Sequence, residues 1–540
     1  MKELTWNIKP IDHAVTKVLK ERLKVSDALA KILAARGYCA PEDSEKFLYP
    51  KLGNLFDPFL FEDMNKIVSR IERALNYGEN ILVWGDEDAD GIASTVLLFQ
   101  VLKDLGANVS YYIPRRMREG IGLNRERLDR ALIDGTKLIV TVDCGSENVV
   151  LVDYAKTKGM DIIITDHHEL PKKYPLAHAF CNPKREGESY PYRELAGVGV
   201  AYKVAQAIAT RRLKINYEQW FSVQRGLFVL LLVGTIGDRV PLTQENRIFV
   251  KFGLDQLNNT KSVWIEAIRR IRGNFNNIGS IMRNVIPILS AGRILSPENP
   301  VINLLLSEDL TECEQIVGAL IEAESLWQDE VKEAYKKCSL LARDEISNKI
   351  IVVMDRSIPE FVLGACAYRL SKNFALPSFV IGCRDDGTLI GEGRALSNTF
   401  NIMGLLRDME DLFISYGGHK PAAGFVLKPD KFDEFKDRAI SYVEKKFLPS
   451  YTTIEIDTIV SVDELTHQFV EEVKKLAPFG EANPKPILIT KGVSVDDVKN
   501  NVVLRNLNLP KFESKIDIVY SVGGYGDYEL KAWEETTNAQ

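Results

Sequence analysis

The spacing of apolar residues changes along the chain, and each change predicts a different kind of element. Between Val25 and Arg36 apolar positions recur near every 3.6 residues, the period of a one-sided helix, and Gly37 is placed to cap it. Short helices of this kind are expected over 1–70, as a helical lead-in. From Asn80 the pattern becomes short apolar runs, Ile81–Trp84, Val109–Ile113, Leu138–Val142 and Asp161–Thr165, separated by helix-like stretches. Such alternation predicts βαβ units and a mostly parallel sheet over 71–250. In open sheets of this type ligands bind beyond the carboxyl ends of the strands, so the polar residues that follow each run carry the interest.

Residues 251–345 are rich in helix formers and include a charged periodic stretch, Ser307–Ile346, that fits one long helix or a broken pair. They read as a helical connector. A second, smaller α/β unit is expected over 346–447, from Ile350-Ile-Val-Val-Met through Phe379-Val-Ile-Gly. The β-branched runs Tyr451–Ile456 and Ile516–Val522 predict a β-rich domain over 450–540.

A chain of 540 residues is too long for one core, which agrees with several domains. The longest apolar run, around Leu227–Val233, falls well short of the roughly 20 residues a membrane helix needs, and the opening Met-Lys-Glu-Leu lacks a signal-peptide core. The expectation is a soluble, cytoplasmic protein with no membrane partner. Seven cysteines without a Cys-x-x-Cys pair argue against a disulfide framework or a zinc finger. A net charge of −6 counts against nucleic acid as partner. Local basic patches offset it, at Arg115, Arg116 and Arg118 and at Arg269, Arg270 and Arg272.

The acidity is itself informative. Asp86-Glu-Asp88-Ala-Asp90-Gly places four carboxylates directly after the first apolar run. An isolated D-x-D serves as a solvated cap for the next helix, whereas bunched carboxylates call for a hard divalent cation. Further acids end later runs: Asp143, Asp166 with His167 and His168, and Asp238 after the apolar stretch Leu227–Gly237. Each alone reads equally as a turn or cap residue. Converging from several strand ends, carboxylates and histidine form the mixed oxygen and nitrogen set suited to a Mn²⁺ or Mg²⁺ pair. Two such ions about 4 Å apart activate water and neutralise a phosphate under attack.

In this order the motifs resemble those of the DHH phosphoesterase superfamily. Gly417-Gly418-His419-Lys-Pro-Ala-Ala-Gly424 is similar to the G-G-H-x-x-A-A-G of its associated domain, although a glycine-rich turn before a helix would also explain the glycines. Within the superfamily the chain resembles the RecJ-like single-strand-specific exonucleases. The supporting segments are Pro114–Leu123, Leu195-Ala-Gly-Val-Gly199, Gly393-Arg394 and Pro478-Phe-Gly-Glu-Ala-Asn-Pro484. It departs from many smaller DHH enzymes in having Trp84 where they carry a histidine. It departs from the P-R-x-N-A-x-G-R pattern in having Pro287 and Leu289 before Ser290-Ala-Gly-Arg293.

The resemblance implies a parallel-sheet DHH domain, a helical connector, a DHH-associated domain and a C-terminal OB-like domain. It implies two-metal hydrolysis of single-stranded DNA from the 5′ end in repair and recombination, with a single-strand-binding protein or a helicase as a further partner. Metal ligands would be Asp88, Asp90, Asp143, His167 and Asp238, with Asp143 bridging. Asp86, Asp166 and His168 would act beside them. Gly417, Gly418, His419, Arg394 and Arg116 would hold substrate phosphate. Two other functions share the motifs: an oligoribonucleotide or cyclic-dinucleotide phosphodiesterase, and a non-catalytic replication-fork scaffold.

Overall fold

A computed structural model describes residues 5–115, 119–120, 122–295, 299–396, 400–446, 453–523 and 527–536. A first strand, β1 (Thr5–Ile8), precedes the central sheet of β2 (Asn80–Trp84), β3 (Val109–Tyr112), β4 (Thr136–Val142), β5 (Asp161–Thr165) and β6 (Ala179–Cys181). The sheet order is β3-β2-β4-β5-β6 and every pairing is parallel. The first four of these strands coincide with the predicted apolar runs to within two residues. The three-residue β6 is too short to leave a period in the sequence.

Near-continuous apolar strands arise because helices cover both faces. Ile81, Val83, Leu138, Val140 and Ile163 face one core, shared with helices Met64–Tyr77, Ala89–Asp104, Gly197–Leu213 and Leu227–Gly237. Leu82, Trp84, Ile139, Ile162 and Ile164 face the other, beneath Arg125–Ile133 and Val149–Thr157. Each fully buried Ile or Leu contributes roughly 1.5–3 kcal/mol relative to exposure. The Leu227–Gly237 helix is apolar all round and accordingly buried from Leu227 to Ile236. Among the described residues no single helix is long and apolar enough to cross a membrane.

The connector is not a separate unit. Its charged stretch forms one helix, Leu310–Leu341, followed by a 3₁₀ segment. Cys313, Val317 and Leu320 at its start belong to the first domain's core, whereas Val331, Ala334 and Cys338 belong to the second's. The expected basic patch here is taken up internally. Arg270 pairs with Glu266 and Glu314, Arg272 with Glu324, and Arg269 donates to Leu257 O.

The second sheet comprises β7 (Ile351–Met354), β8 (Ser378–Cys383), β9 (Leu389–Arg394), β10 (Phe413–His419) and β11 (Ala422–Leu427), in the order β10-β11-β9-β8-β7. Only β7 and β8 run parallel. The C-terminal domain holds β12 (Thr453–Ile456), which pairs with β1, and a sheet of β13 (Thr458–Ile459), β14 (Ile487–Val493), β15 (Ile516–Gly523) and β16 (Asp527–Glu535).

The lead-in, too, is not independent. Leu19, Leu29, Ile32, Leu33 and Phe47 share one core with Phe469, Leu488, Ile516 and Ile518 of the C-terminal domain, so the two ends of the sequence form a single body. The Pro478–Pro484 segment is the seam joining this body to the first domain. Arg247 is 1% exposed. It donates to Phe47 O (2.8 Å), Leu476 O (3.0 Å), Lys475 O (2.9 Å) and Ala477 O (2.8 Å). Leu242 N donates to Glu481 O at 2.9 Å.

Candidate active site

Because β2, β4 and β5 are parallel, the residues that follow them emerge at one edge of the sheet. The chain reverses direction of travel across the sheet between β2 and β4, which makes this the switch point where such folds bind ligands. After β2, Asp86 is buried and accepts from Glu87 N at 2.8 Å. Asp88 caps the Ala89–Asp104 helix, accepting from Asp90 N and Gly91 N, both at 3.0 Å. Asp90 lies in that helix's first turn, and the start of the Gly197–Leu213 helix clamps its carboxylate: Gly197 N donates at 2.7 Å and Val198 N at 2.9 Å. The helix N-terminus favours the negative charge held there.

Asp143 follows β4 with φ +59°, a left-handed conformation uncommon outside glycine. Glycine at 197 lets the carboxylate fit, since a Cβ there would stand 2.4 Å from Asp143 Oδ1. Gly234 does the same for Asp90, where a Cβ would stand 2.6 Å from Oδ1. After β5, Asp166 accepts from Ser146 N (3.0 Å), His167 N (2.7 Å) and the His168 ring Nδ1 (2.8 Å). Asp238 ends the buried Leu227–Gly237 helix.

These elements converge on His167. Its Nε2 lies 3.1 Å from Asp143 Oδ1, 3.5 Å from Asp238 Oδ2 and 3.9 Å from Asp90 Oδ2. Two overlapping sets result, Asp143 with His167 and His168, and Asp90 with His167 and Asp238, each with donor atoms within 4.8 Å of one another. Asp86 and Asp88 stand outside both sets. Among the described residues, the only ion-pair partners within 4.0 Å of Asp90, Asp143 and Asp238 are histidines.

The electrostatics are those of a cation site. Burial, then Asp238 and Asp88, push Asp90 well above the usual carboxylate range, and burial with Asp90 and Asp88 does the same to Asp143. Asp238 is pushed up to about 7 by burial and then Asp88. Buried carboxylates this close resist ionisation unless a cation offsets them, so oxygen donors plus imidazole fit divalent metal. Asp166 differs: burial acts against its charge, yet His168 holds it well below the usual range. Burial likewise opposes charge on His168, but Asp166 raises it to about 9.

Across the cleft stands the second domain. Lys172 Nζ lies 3.5 Å from Glu410 Oε1, and the Arg239 guanidinium 5.8 Å from the Tyr368 ring. The Gly417–Gly424 string is a β-hairpin, not a turn before a helix, because β10 and β11 pair through to His419 and Ala422. Gly418 has φ +139°, and a Cβ there would stand 2.5 Å from Ala422 O. A Cβ on Gly417 would lie 3.6 Å from Glu147 Oε1, so the hairpin overlooks the loop that begins at Asp143. Arg394 ends β9, paired with Glu392 at 2.7 Å. Arg116 lies outside the described residues, and His419 is described by its backbone alone.

The sequence did not reveal the Gly197 and Val198 amides on Asp90, nor Asn182, whose Nδ2 donates to His168 O (3.0 Å) and Ser146 Oγ (3.3 Å). The Ala-Gly-Val-Gly string before a helix was the available signal for the first. A lone buried asparagine left none.

Comparison with known proteins places this geometry. Residues 80–235 match the DHH family N-terminal domain, 347–445 the DHHA1 domain and 456–520 the RecJ OB domain. The single-stranded-DNA-specific exonuclease RecJ of Dickeya dadantii is 30% identical over 485 residues, covering 85% of this chain and 82% of that protein. The chain belongs to the RecJ family. Another member, RecJ of Bacillus subtilis, is 32% identical over 511 residues; the match covers 92% of this chain but 63% of that longer protein. Among solved RecJ structures, the Mn²⁺ complex of the Thermus thermophilus protein superposes with a TM-score of 0.80 at 25% identity, covering 99% of this chain and 80% of that one. The RecJ fold thus extends over the N-terminal helices as well as the three matched domains.

Proposed function

We propose that this chain hydrolyses single-stranded DNA from the 5′ end, releasing nucleoside 5′-monophosphates, with Mn²⁺ or Mg²⁺ held by Asp88, Asp90, Asp143, His167 and Asp238. The observation that carries the reading is the convergence of three carboxylates, the buried Asp90 and Asp143 and the partly exposed Asp238, on His167 Nε2 within 3.9 Å. Bound there, a pair of divalent ions supplies an activated water and offsets charge on the phosphate. Asp143, which lies 3.1 Å from the histidine common to both donor sets, would be the carboxylate shared by the two ions. Asp166 fixes the His168 ring, so that the imidazole faces the substrate phosphate. Asp86 orients the loop bearing Asp88 and Asp90.

On the opposite wall Gly417 and Gly418 admit the strand's backbone closely, and His419 and Arg394 donate to its phosphates; Arg116, in the Pro114–Leu123 motif, is a further phosphate donor. Water adds to phosphorus and the bond to O3′ of the terminal nucleotide breaks, so each cut leaves a new 5′-phosphate end. Delivery by a helicase or single-strand-binding protein in DNA repair suits an enzyme that needs unpaired substrate. The test uses a single strand labelled at its 3′ end, with EDTA as control. Stepwise shortening that keeps the label until late, abolished by EDTA and restored by Mn²⁺, is expected. Immediate release of labelled mononucleotide would overturn the polarity, and full activity in EDTA would overturn the metal reading.

A further inference from the structure

The wall opposite the acid cluster carries an ion pair whose carboxylate has no role so far. Arg394 Nη1 lies 2.7 Å from Glu392 Oε2 and donates also to Gly393 O at 2.8 Å. Strand register shows where the pair points. Ala422 stands opposite Arg394, and Gly424 opposite both Glu392 and Gly417. Directly opposed residues in an antiparallel sheet project to the same face. That face is the one on which Gly417 meets Glu147, and hence the one that looks onto the Asp143 loop. Two glycines house the pair. A Cβ on Gly424 would stand 3.1 Å from Glu392 Oε1, and one on Gly364 2.7 Å from Arg394 Nη2.

We propose that Glu392 is a specificity-determining residue, a counter-charge that limits how tightly Arg394 grips the strand's terminal phosphate. The inference rests on the proposed 5′→3′ hydrolysis and takes the strand's 5′ end to be the part held against this wall. With Glu392 in place the pair carries no net charge, so a phosphate that approaches Arg394 also approaches a carboxylate. A terminal phosphate carries close to two negative charges at neutral pH and feels that carboxylate more than an internal diester does. Each cut creates such an end, which must be let go for the strand to advance by one nucleotide. A weakened grip permits that step, and the two glycines keep the carboxylate where it can weaken it.

The experiment measures KM and kcat for release of the first nucleotide by the full chain in Mn²⁺, on strands bearing a 5′-phosphate or a 5′-hydroxyl. Glu392→Gln keeps the shape and removes the charge. It should lower KM about fivefold on the phosphorylated strand, the order expected of one partly exposed charge, and lower kcat with it. The hydroxyl-ended strand should stay within about twofold. Glu392→Asp, which keeps the charge, should behave as wild type, and Arg394→Ala should erase the difference between the strands. A higher KM for Glu392→Gln on the phosphorylated strand would overturn the proposal, since Glu392 would then be orienting Arg394. An equal change on both strands would overturn it as well. If Arg394→Ala alters neither strand while metal-dependent cleavage persists, the 5′ end is held elsewhere, and the reading of this wall fails with the proposal.

Discussion

On the first domain's side of the cleft, Asp90, Asp143 and His167 are 1–2% exposed and are fixed by backbone amides, a helix start and two glycines in contact with carboxylates. On the other side, Glu392 and Arg394 are 26–28% exposed and held chiefly by each other. The difference follows from chemistry. A cation pair needs donors placed to within a few tenths of an ångström before it arrives, which burial and backbone contacts supply. A strand that must slide needs contacts that form and break, which exposed charges over a glycine floor supply.

The largest effect should come from the buried side. Asp143→Ala should reduce nucleotide release by more than about 10³-fold, because hydrolysis needs the cations this carboxylate holds. In EDTA the variant should melt no lower than wild type, since a buried, repelled carboxylate is removed. Near-normal turnover would break the comparison at its strongest point. Gly197→Ala should cost about 10–100-fold in activity or Mn²⁺ affinity, as its methyl displaces Asp143, and a manganese titration would reveal it. The exposed side should be more forgiving. His419→Ala is expected to slow cleavage roughly tenfold, the loss of one charge-assisted hydrogen bond. Away from both walls, Arg247→Met should leave short-strand activity within about twofold but lower stability by about 3 kcal/mol, because the bonds from one buried guanidinium to four carbonyls at the seam are lost. Thermal melts with parallel assays would separate the two effects.

Legibility in the sequence follows the same division. The parallel strands were readable because burial on both faces writes continuous apolar runs, and the acids were readable because they follow those runs directly. Asp238 was findable for the same reason, as the end of an apolar helix. The roles of Gly197 and Gly234 were hidden, since a glycine that makes room for a distant carboxylate looks like any other. The union of the N-terminal helices with the C-terminal domain was also hidden. Leu29 and Phe469 carry an apolar pattern but no mark of their partner. The Arg269–Arg272 patch misled because charge in sequence does not show which arginines already have glutamates.

The Leu310–Leu341 helix has a consequence for how the two walls keep their alignment. At 32 residues it is about 48 Å long, and Ser325, Leu326, Gln328, Asp329 and Glu330 at its middle are exposed. Val317 in one core and Val331 in the other are fourteen residues apart, close to four full turns, so both anchoring stripes lie on nearly the same side. The helix therefore behaves like a threaded rod, in which length and angle are locked together. One residue inserted at Asp329 would shift the second domain by only about 1.5 Å, yet turn its anchoring stripe by about 100°. Among related chains, changes in the length of this stretch should therefore come in steps of whole turns, which preserve the phase between the domains.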